Sequence, residues 1–366
     1  MYDFAAIIKA FEIDGEFLSA EPYGQGHINQ TFLVRTREGN GEIRYILQRV
    51  NDRLFPRVDL LMNNIRRVTE FNRSVIRARG GNPDRESLSL VYARDGAPFV
   101  RDREGNPFRV YRFIEGATAY QVVEKPQHFY ESARAFGSFA NLLAGFDATG
   151  LYEVLPDFHN TRVRLENFRD SVRADRAGRA SSVAAEIAFV EDRSGICGRL
   201  VDRLKSGEIP TRVTHNDTKL NNVMIDDVTG RAVAVIDLDT VMPGSLCYDF
   251  GDSIRFGCNP AAEDEPDLGK VNFDLGLFRV YAEGYLSAVG TGITDVEREN
   301  LAWGAILMTY ECGMRFLADY LDGDVYFRTS RPGQNLDRAR TQFKLVTDME
   351  RRLDRMNEIV ADISRG

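Results

Sequence analysis

Four residues in one stretch carry types and spacings suited to chemistry. They are Asp217, Lys219, Asn222 and Asp237, within Val213-Thr-His-Asn-Asp-Thr-Lys-Leu-Asn-Asn-Val-Met-Ile225 and the following Val233-Ala-Val-Ile-Asp-Leu-Asp239. Asp217 can accept a hydrogen bond, and then a proton, from an attacking hydroxyl. Lys219 offers a point charge to a transferring phosphoryl group. Asn222 and Asp237 offer the hard oxygens that Mg²⁺ prefers. Phosphoryl transfer asks for little more than an oriented hydroxyl, screening cations and metal ligands. The order of an acid, a lysine at +2, an asparagine at +5 and a later acid ending an apolar strand follows the logic of a kinase catalytic loop. Alone, His-Asn-Asp-x-Lys is also compatible with a surface turn. The asparagine and the Ile-Asp-Leu-Asp strand weigh against that.

Asp249-Phe-Gly251 spells the Asp-Phe-Gly of protein kinases. It follows the Met242-Pro-Gly244 turn, whereas Asp237 ends the β-run after the catalytic loop. We therefore assign the metal to Asp237, and expect Asp249 and Asp252 to cap a helix or brace the loop.

Elements must position these groups. Residues 2–12 show a short helical stripe. Residues 17–23, 31–36 and 43–48 read as strands separated by glycine-rich turns. A long helix follows Pro56, with Val58, Leu61, Ile65, Val68 and Phe71 on one face. Two more strands are expected near 97–100 and 108–113. Beyond Ile114-Glu-Gly116 the texture turns helical, with a stripe after Pro126. Residues 161–206 read as long surface helices, and helices resume from about 271. The expected fold is α+β and bilobal, like a protein kinase. Residues 1–113 form a nucleotide-binding lobe with a small antiparallel sheet, and residues 114–366 form a mainly helical catalytic and substrate-binding lobe.

Composition excludes several classes. The chain has 366 residues, 43% hydrophobic and 28% charged, with a formal net charge of -8 and a pI of about 5.3. Nucleic-acid and polybasic membrane roles need a basic footprint that is missing. No run approaches the roughly 20 apolar residues that span a bilayer, and the start lacks signal-peptide character. Cys197, Cys247, Cys258 and Cys312 form no C-x-x-C pair. Reduced thiols in a cytoplasmic protein are expected.

The segment resembles the aminoglycoside phosphotransferase and choline kinase superfamily, and more narrowly the bacterial N-acetylhexosamine 1-kinases. The likeness runs nearly the full chain. Its landmarks are Glu21-Pro-Tyr-Gly-Gln-Gly-His-Ile-Asn29, Arg44-Tyr-Ile-Leu-Gln48, Arg109-Val-Tyr-Arg-Phe-Ile114, Arg212 to Asn222, Ile236-Asp-Leu-Asp-Thr240 and Glu311-Cys-Gly-Met-Arg-Phe-Leu-Ala-Asp-Tyr320. The resemblance implies ATP and Mg²⁺ as cofactors and the anomeric hydroxyl of GlcNAc or GalNAc as acceptor.

On the nucleotide side, Gly24 and Gly26 can bring backbone N–H groups close to phosphates, although a plain hairpin turn uses the same residues. Kinases place a lysine on the third strand. Here Gln48 stands in its place, as in the sugar-kinase relatives. Gln48 could reach the nucleotide as a neutral donor, while Arg49 faces the other way on a regular strand. Tyr111, Phe113 and Ile114 fall in the hinge that the resemblance assigns to adenine.

On the acceptor side, the resemblance implies sugar contacts from His27, Asn29, Arg315 and Tyr326, with Tyr120 just beyond the hinge. His27 could equally be structural, and Asp319, four residues after Arg315, could be that arginine's partner. The acidic run Glu263-Asp-Glu-Pro-Asp267 could serve a polycationic acceptor or be a solvated loop. Two other readings stay open: a kinase for an aminoglycoside, choline or homoserine, and a catalytically inactive kinase-fold binding protein.

Overall fold

A computed structural model describes residues 2–24, 28–120, 123 and 125–365. The chain divides into two compact units. The first comprises residues 1–118, 150–155 and 224–241, and the second comprises 119–149, 156–223 and 242–366. The chain thus returns twice to the first unit, through segments that a boundary after residue 113 leaves in the second lobe.

The first unit is built on a six-stranded antiparallel sheet. Its strands are β1 (Glu16–Pro22), β2 (Gln30–Glu38), β3 (Gly41–Arg49), β4 (Leu90–Val91), β5 (Val100–Arg101) and β6 (Pro107–Arg112), in the order β1-β2-β3-β6-β4, with β5 also on β6. Antiparallel pairing puts Gln48 of β3 opposite Arg109 of β6. The first five residues of β6 are all buried, as befits a central strand. Ile7, Ile8, Phe11, Val34, Tyr45, Leu47, Phe108 and Val110 form one core cluster, each large apolar side chain contributing about 1.5–3 kcal/mol on burial.

Three helices join the sheet: α1 (Phe4–Lys9), α2 (Val58–Ala78) and α3 (Pro83–Glu86). The expected stripe of α2 is realised, with Val58, Leu61, Ile65 and Val68 buried. A polar residue on that stripe explains the returning segments. Buried Asn64 donates to the carbonyls of Tyr152, at 2.8 Å, and Val241, at 3.0 Å, and accepts the Tyr152 N–H at 3.0 Å. A second small sheet pairs Ala117–Thr118 with Val223–Asp226, which pairs with Ala232–Val235.

The second unit is mainly helical. It contains α4 (Pro126–Leu142), α5 (Thr161–Ala174), α6 (Ala184–Asp192), α7 (Val201–Ser206), α8 (Leu246–Gly257), α9 (Leu275–Val289), α10 (Asp295–Glu299), α11 (Leu301–Asp322), α12 (Gln334–Glu350) and α13 (Leu353–Arg365). The region 161–206 is not long helix. It breaks into three α-helical pieces with 3₁₀ turns between them; α5 ends on left-handed Asp175, and too few apolar anchors reward continuation. A two-stranded ladder pairs Arg212–Thr214 with Met242–Gly244. Helices α8 and α11 cross in backbone contact. A side chain at Gly251 would strike the Gly304 carbonyl, and one at Gly304 would strike that of Cys247.

Candidate active site

The loop 215–219 follows the strand Arg212–Thr214 and precedes a 3₁₀ turn at Leu220–Asn222. Helix α8 braces its backbone. Asp249 accepts the N–H of His215 and of Asn216, both at 2.8 Å. Asp252 accepts the N–H of Thr218 at 3.0 Å. The Thr218 hydroxyl donates to the Asp249 carbonyl at 2.6 Å, and Ser253 donates to the Thr218 carbonyl at 2.7 Å. Asp249-Phe-Gly251 therefore sits in a helix and braces the loop. Burial pushes the Asp249 carboxyl above its usual range, with His215 and the two N–H groups offsetting this in part. Burial acts on Asp252 in the same sense, but Arg255 and Lys219 outweigh it and hold that carboxyl low.

Asn216 is left-handed, at φ 63°, a conformation that asparagine tolerates better than most residues. The turn leaves Asp217 partly open, with its side chain 28% exposed. One oxygen pairs with Lys219 Nζ at 2.7 Å. The other accepts Asn222 Nδ2 at 3.1 Å, and the same nitrogen donates to the Asp217 carbonyl at 2.8 Å. Asn222 thus directs its amide nitrogen, not its oxygen, to Asp217. Partial burial lowers the Lys219 pKa, but the Asp217 and Asp252 carboxylates more than compensate, and the ammonium is stabilised. His215 is fully buried, edge-on to Phe136 and Phe139.

Arg315 and Tyr326 also come together in the second unit. The Arg315 guanidinium lies 5.3 Å from the Phe158 ring, 5.9 Å from Tyr326 and 5.5 Å from Phe327. Asp319 is not its partner. Its carboxylate accepts the N–H groups of Val325, Tyr326 and Phe327 at 2.9, 2.7 and 2.9 Å, and Asn335 Nδ2 at 2.8 Å. The i, i+4 spacing suggested a pair, yet three unpaired backbone donors nearby form the stronger claim on a buried acid. Tyr326 itself is 61% exposed. Arg164 adds a second guanidinium: burial and the charge of Arg315 both lower its pKa. Tyr120 stacks on His128, with centroids 4.3 Å apart. The acidic run is largely spent: Glu263 pairs with Arg255 at 3.0 Å, Asp264 with Arg331 at 3.4 Å and Glu265 with Lys270 at 3.6 Å.

The remaining candidates lie in the first unit. Gly24 is left-handed at φ 75°, a conformation that favours glycine. Gly26 and His27 lie outside the described residues. Tyr111 is buried in β6, with no hydrogen-bond partner for its hydroxyl among the described residues. Phe113 is half-buried under the Arg44 guanidinium, 4.1 Å above its ring, and Ile114 is buried. Asp237 is exposed, at φ 60°, at the end of the Ala232–Val235 run.

Gln48 and Asn29 are both engaged, through residues that the sequence did not single out. Gln48 Oε1 accepts Nε and Nη2 of Arg109, at 2.9 and 2.8 Å, and its nitrogen donates to Thr31 at 3.1 Å. Arg109 pairs with Asp239 at 2.5 Å. Asn29 donates to Asp239 at 2.6 Å and accepts the Asn51 N–H at 3.0 Å. As expected from strand alternation, Arg49 turns elsewhere, to Asp52 and Asn106. A charged residue between Phe108 and Val110 was the available signal for Arg109.

An antiparallel sheet region followed by a helical region, with a braced acid–lysine–asparagine loop, defines a kinase-like α+β protein. Residues 19–286 match the phosphotransferase enzyme family, and the chain belongs to it. Solved structures share the fold. The choline kinase of Cryptosporidium parvum Iowa II superposes with a TM-score of 0.56 at 12% identity, covering 95% of this chain and 93% of that one. An aminoglycoside phosphotransferase from Alicyclobacillus acidocaldarius gives 0.54 at 14% identity, covering 99% and 96%. A spectinomycin phosphotransferase, solved with ADP and spectinomycin, gives 0.53 at 14% identity, covering 99% and 98%. No described helix is long and apolar enough to cross a membrane.

Proposed function

We propose that the chain transfers the γ-phosphoryl group of ATP to the anomeric hydroxyl of an N-acetylhexosamine, GlcNAc or GalNAc, giving the sugar 1-phosphate. The observation that carries the phosphotransfer reading is the state of Asp217. It is partly open to solvent, fixed between Lys219 and Asn222, and carried on a loop whose backbone is braced by α8. Such an acid can orient an acceptor hydroxyl and take its proton.

Asn222 and Asp237 each carry oxygen donors of the kind Mg²⁺ takes, and the kinase reading assigns both to the cation, with phosphate oxygens beside them. Mg²⁺ is ordinarily held in this way, through one or two protein oxygens plus substrate and water. The bound ion would neutralise charge developing on the phosphates. Lys219 would release Asp217 and turn to the transferring group. Gly24, Gly26, Gln48, Tyr111, Phe113 and Ile114 would hold the nucleotide, and the spectinomycin enzyme's ADP is a precedent for this fold.

The acceptor assignment draws on Arg315 and Tyr326, with His27, Asn29 and Tyr120. Arg315 and Arg164 are guanidiniums beside aromatic faces. Their charge opposes a cationic acceptor such as choline or an aminoglycoside, and the acidic run is already paired with basic side chains. A neutral, hydrogen-bonding acceptor suits them better.

The test is ADP release from ATP and Mg²⁺ with GlcNAc, GalNAc, choline, homoserine and an aminoglycoside, followed by phosphorus and proton NMR of the product. Turnover confined to hexosamines, with phosphate on the anomeric oxygen, is expected. Preference for another acceptor would replace the sugar assignment, and ATP binding without turnover on any acceptor would favour an inactive binding protein.

A further inference from the structure

Arg109 occupies the middle of the first unit's sheet and is 1% exposed. A guanidinium does not shed its charge in a protein, so its partners must satisfy it in place. Two of its nitrogens converge on Gln48 Oε1, and a third pairs with Asp239. Asp239 is itself buried and turns its other oxygen to Asn29, which is tied to the backbone of Asn51. One connected set of bonds thus links β3, β6, the start of β2 and the turn two residues beyond Asp237.

We propose that Arg109 is the positioning residue that compensates for the absent strand lysine, by fixing the amide of Gln48 as a hydrogen-bond donor for the nucleotide. The inference rests on the kinase reading. Gln48 takes the place of the lysine on β3. A free glutamine amide can present either oxygen or nitrogen. Here the oxygen accepts two guanidinium N–H groups. Flipping it would set an NH₂ group against both, leaving buried donors unpaired. The nitrogen is therefore held on the opposite side, giving one N–H to Thr31 and keeping the second to offer. Arg109 touches no ligand; it acts through Gln48.

Two variants separate positioning from simple support. Gln48→Glu keeps an acceptor for Arg109 but loses the donor. Arg109→Met combined with Asp239→Asn removes both charges, so neither is stranded, and frees the Gln48 amide to rotate. ADP affinity with Mg²⁺ is measured by calorimetry on each, alongside the melting temperature and the far-ultraviolet spectrum. We expect both to fold and the ADP dissociation constant to rise roughly tenfold or more, as for loss of one hydrogen bond to a charged phosphate. Wild-type ADP affinity in either folded variant would overturn the proposal and leave Arg109 a structural ion pair. Failure of the wild-type chain to bind ADP or GDP would overturn the kinase reading, and this proposal with it.

Discussion

The carboxylate of Asp249 accepts the backbone N–H of Asn216 at 2.8 Å, and Asn216 is the left-handed residue immediately before Asp217. The acid proposed for catalysis is therefore aimed by another acid that stays out of the chemistry. Asp249→Asn sets an NH₂ group or a single oxygen against two N–H donors. It should cost about 1–3 kcal/mol of stability. It should also lower kcat by roughly ten- to a hundredfold, through misplacement of Asp217, with KM for ATP and acceptor little changed. Thermal melts and steady-state kinetics on one preparation check both parts.

Asp217→Asn keeps the side-chain volume and the Asn222 contact to the backbone carbonyl. The chain should fold normally and lose roughly a hundredfold to ten-thousandfold in turnover. Circular dichroism and ADP release decide it, and near-normal turnover would sink the assignment.

Asp319 tests the acceptor side. Its carboxylate gathers three consecutive N–H groups that shape the backbone under Tyr326. Replacement by alanine should loosen that segment and raise KM for the acceptor by roughly tenfold, while KM for ATP holds. Equal shifts in both constants would argue against a local role.

Stability should depend on pH in an acid and an alkaline window. Asp252 is held below its ordinary value of 3.8 in the folded chain. Its contribution is present above that value and is lost as pH falls through the lower folded value. Lys219 is raised above 10.5, so its contribution is present below that value and disappears as pH climbs past the folded one. Melting curves across pH should show both limbs, and Asp252→Asn should flatten the acid limb and also shrink the alkaline one, because the Asp252 carboxylate helps hold the Lys219 ammonium.

The cysteines are expected to be unreactive. Burial pushes the thiols of Cys197 and Cys312 up to about 11 and that of Cys247 up to about 12, and raises Cys258 as well. A thiolate is the reactive form. Titration with Ellman's reagent at pH 8 should find fewer than one fast thiol in the folded chain and four after denaturation.

Much of this was legible in the sequence where the signal is local. Asp217, Lys219 and Asn222 are close along the chain, so spacing alone brings them near one another. The long strands β1, β2, β3 and β6 and the face of α2 follow from periodicity, whereas the two-residue β4 gives no signal and β5 lies a few residues later than expected, because strands that short carry no alternation. Arg109 was hidden because its meaning depends on register: only the pairing of β3 with β6 sets it opposite Gln48. Asp319 misled because a four-residue spacing suggests a helical ion pair, whereas its real partners lie beyond the end of α11. The region 161–206 reads as helix by composition, but its breaks come from backbone turns that composition does not show.

The crossing of α8 and α11 at Gly251 and Gly304 bears on how such an enzyme could change its substrate over evolutionary time. Neither position admits even a methyl group without moving a backbone, and α8 carries the two acids that hold the catalytic loop. A substitution at this crossing should therefore disturb the loop that holds Asp217 before it alters any acceptor contact. The segment 325–327 hangs mainly from one carboxylate, and its Tyr326 is open to solvent. Under the proposed function, acceptor choice could drift there while the proposed chemistry is inherited intact.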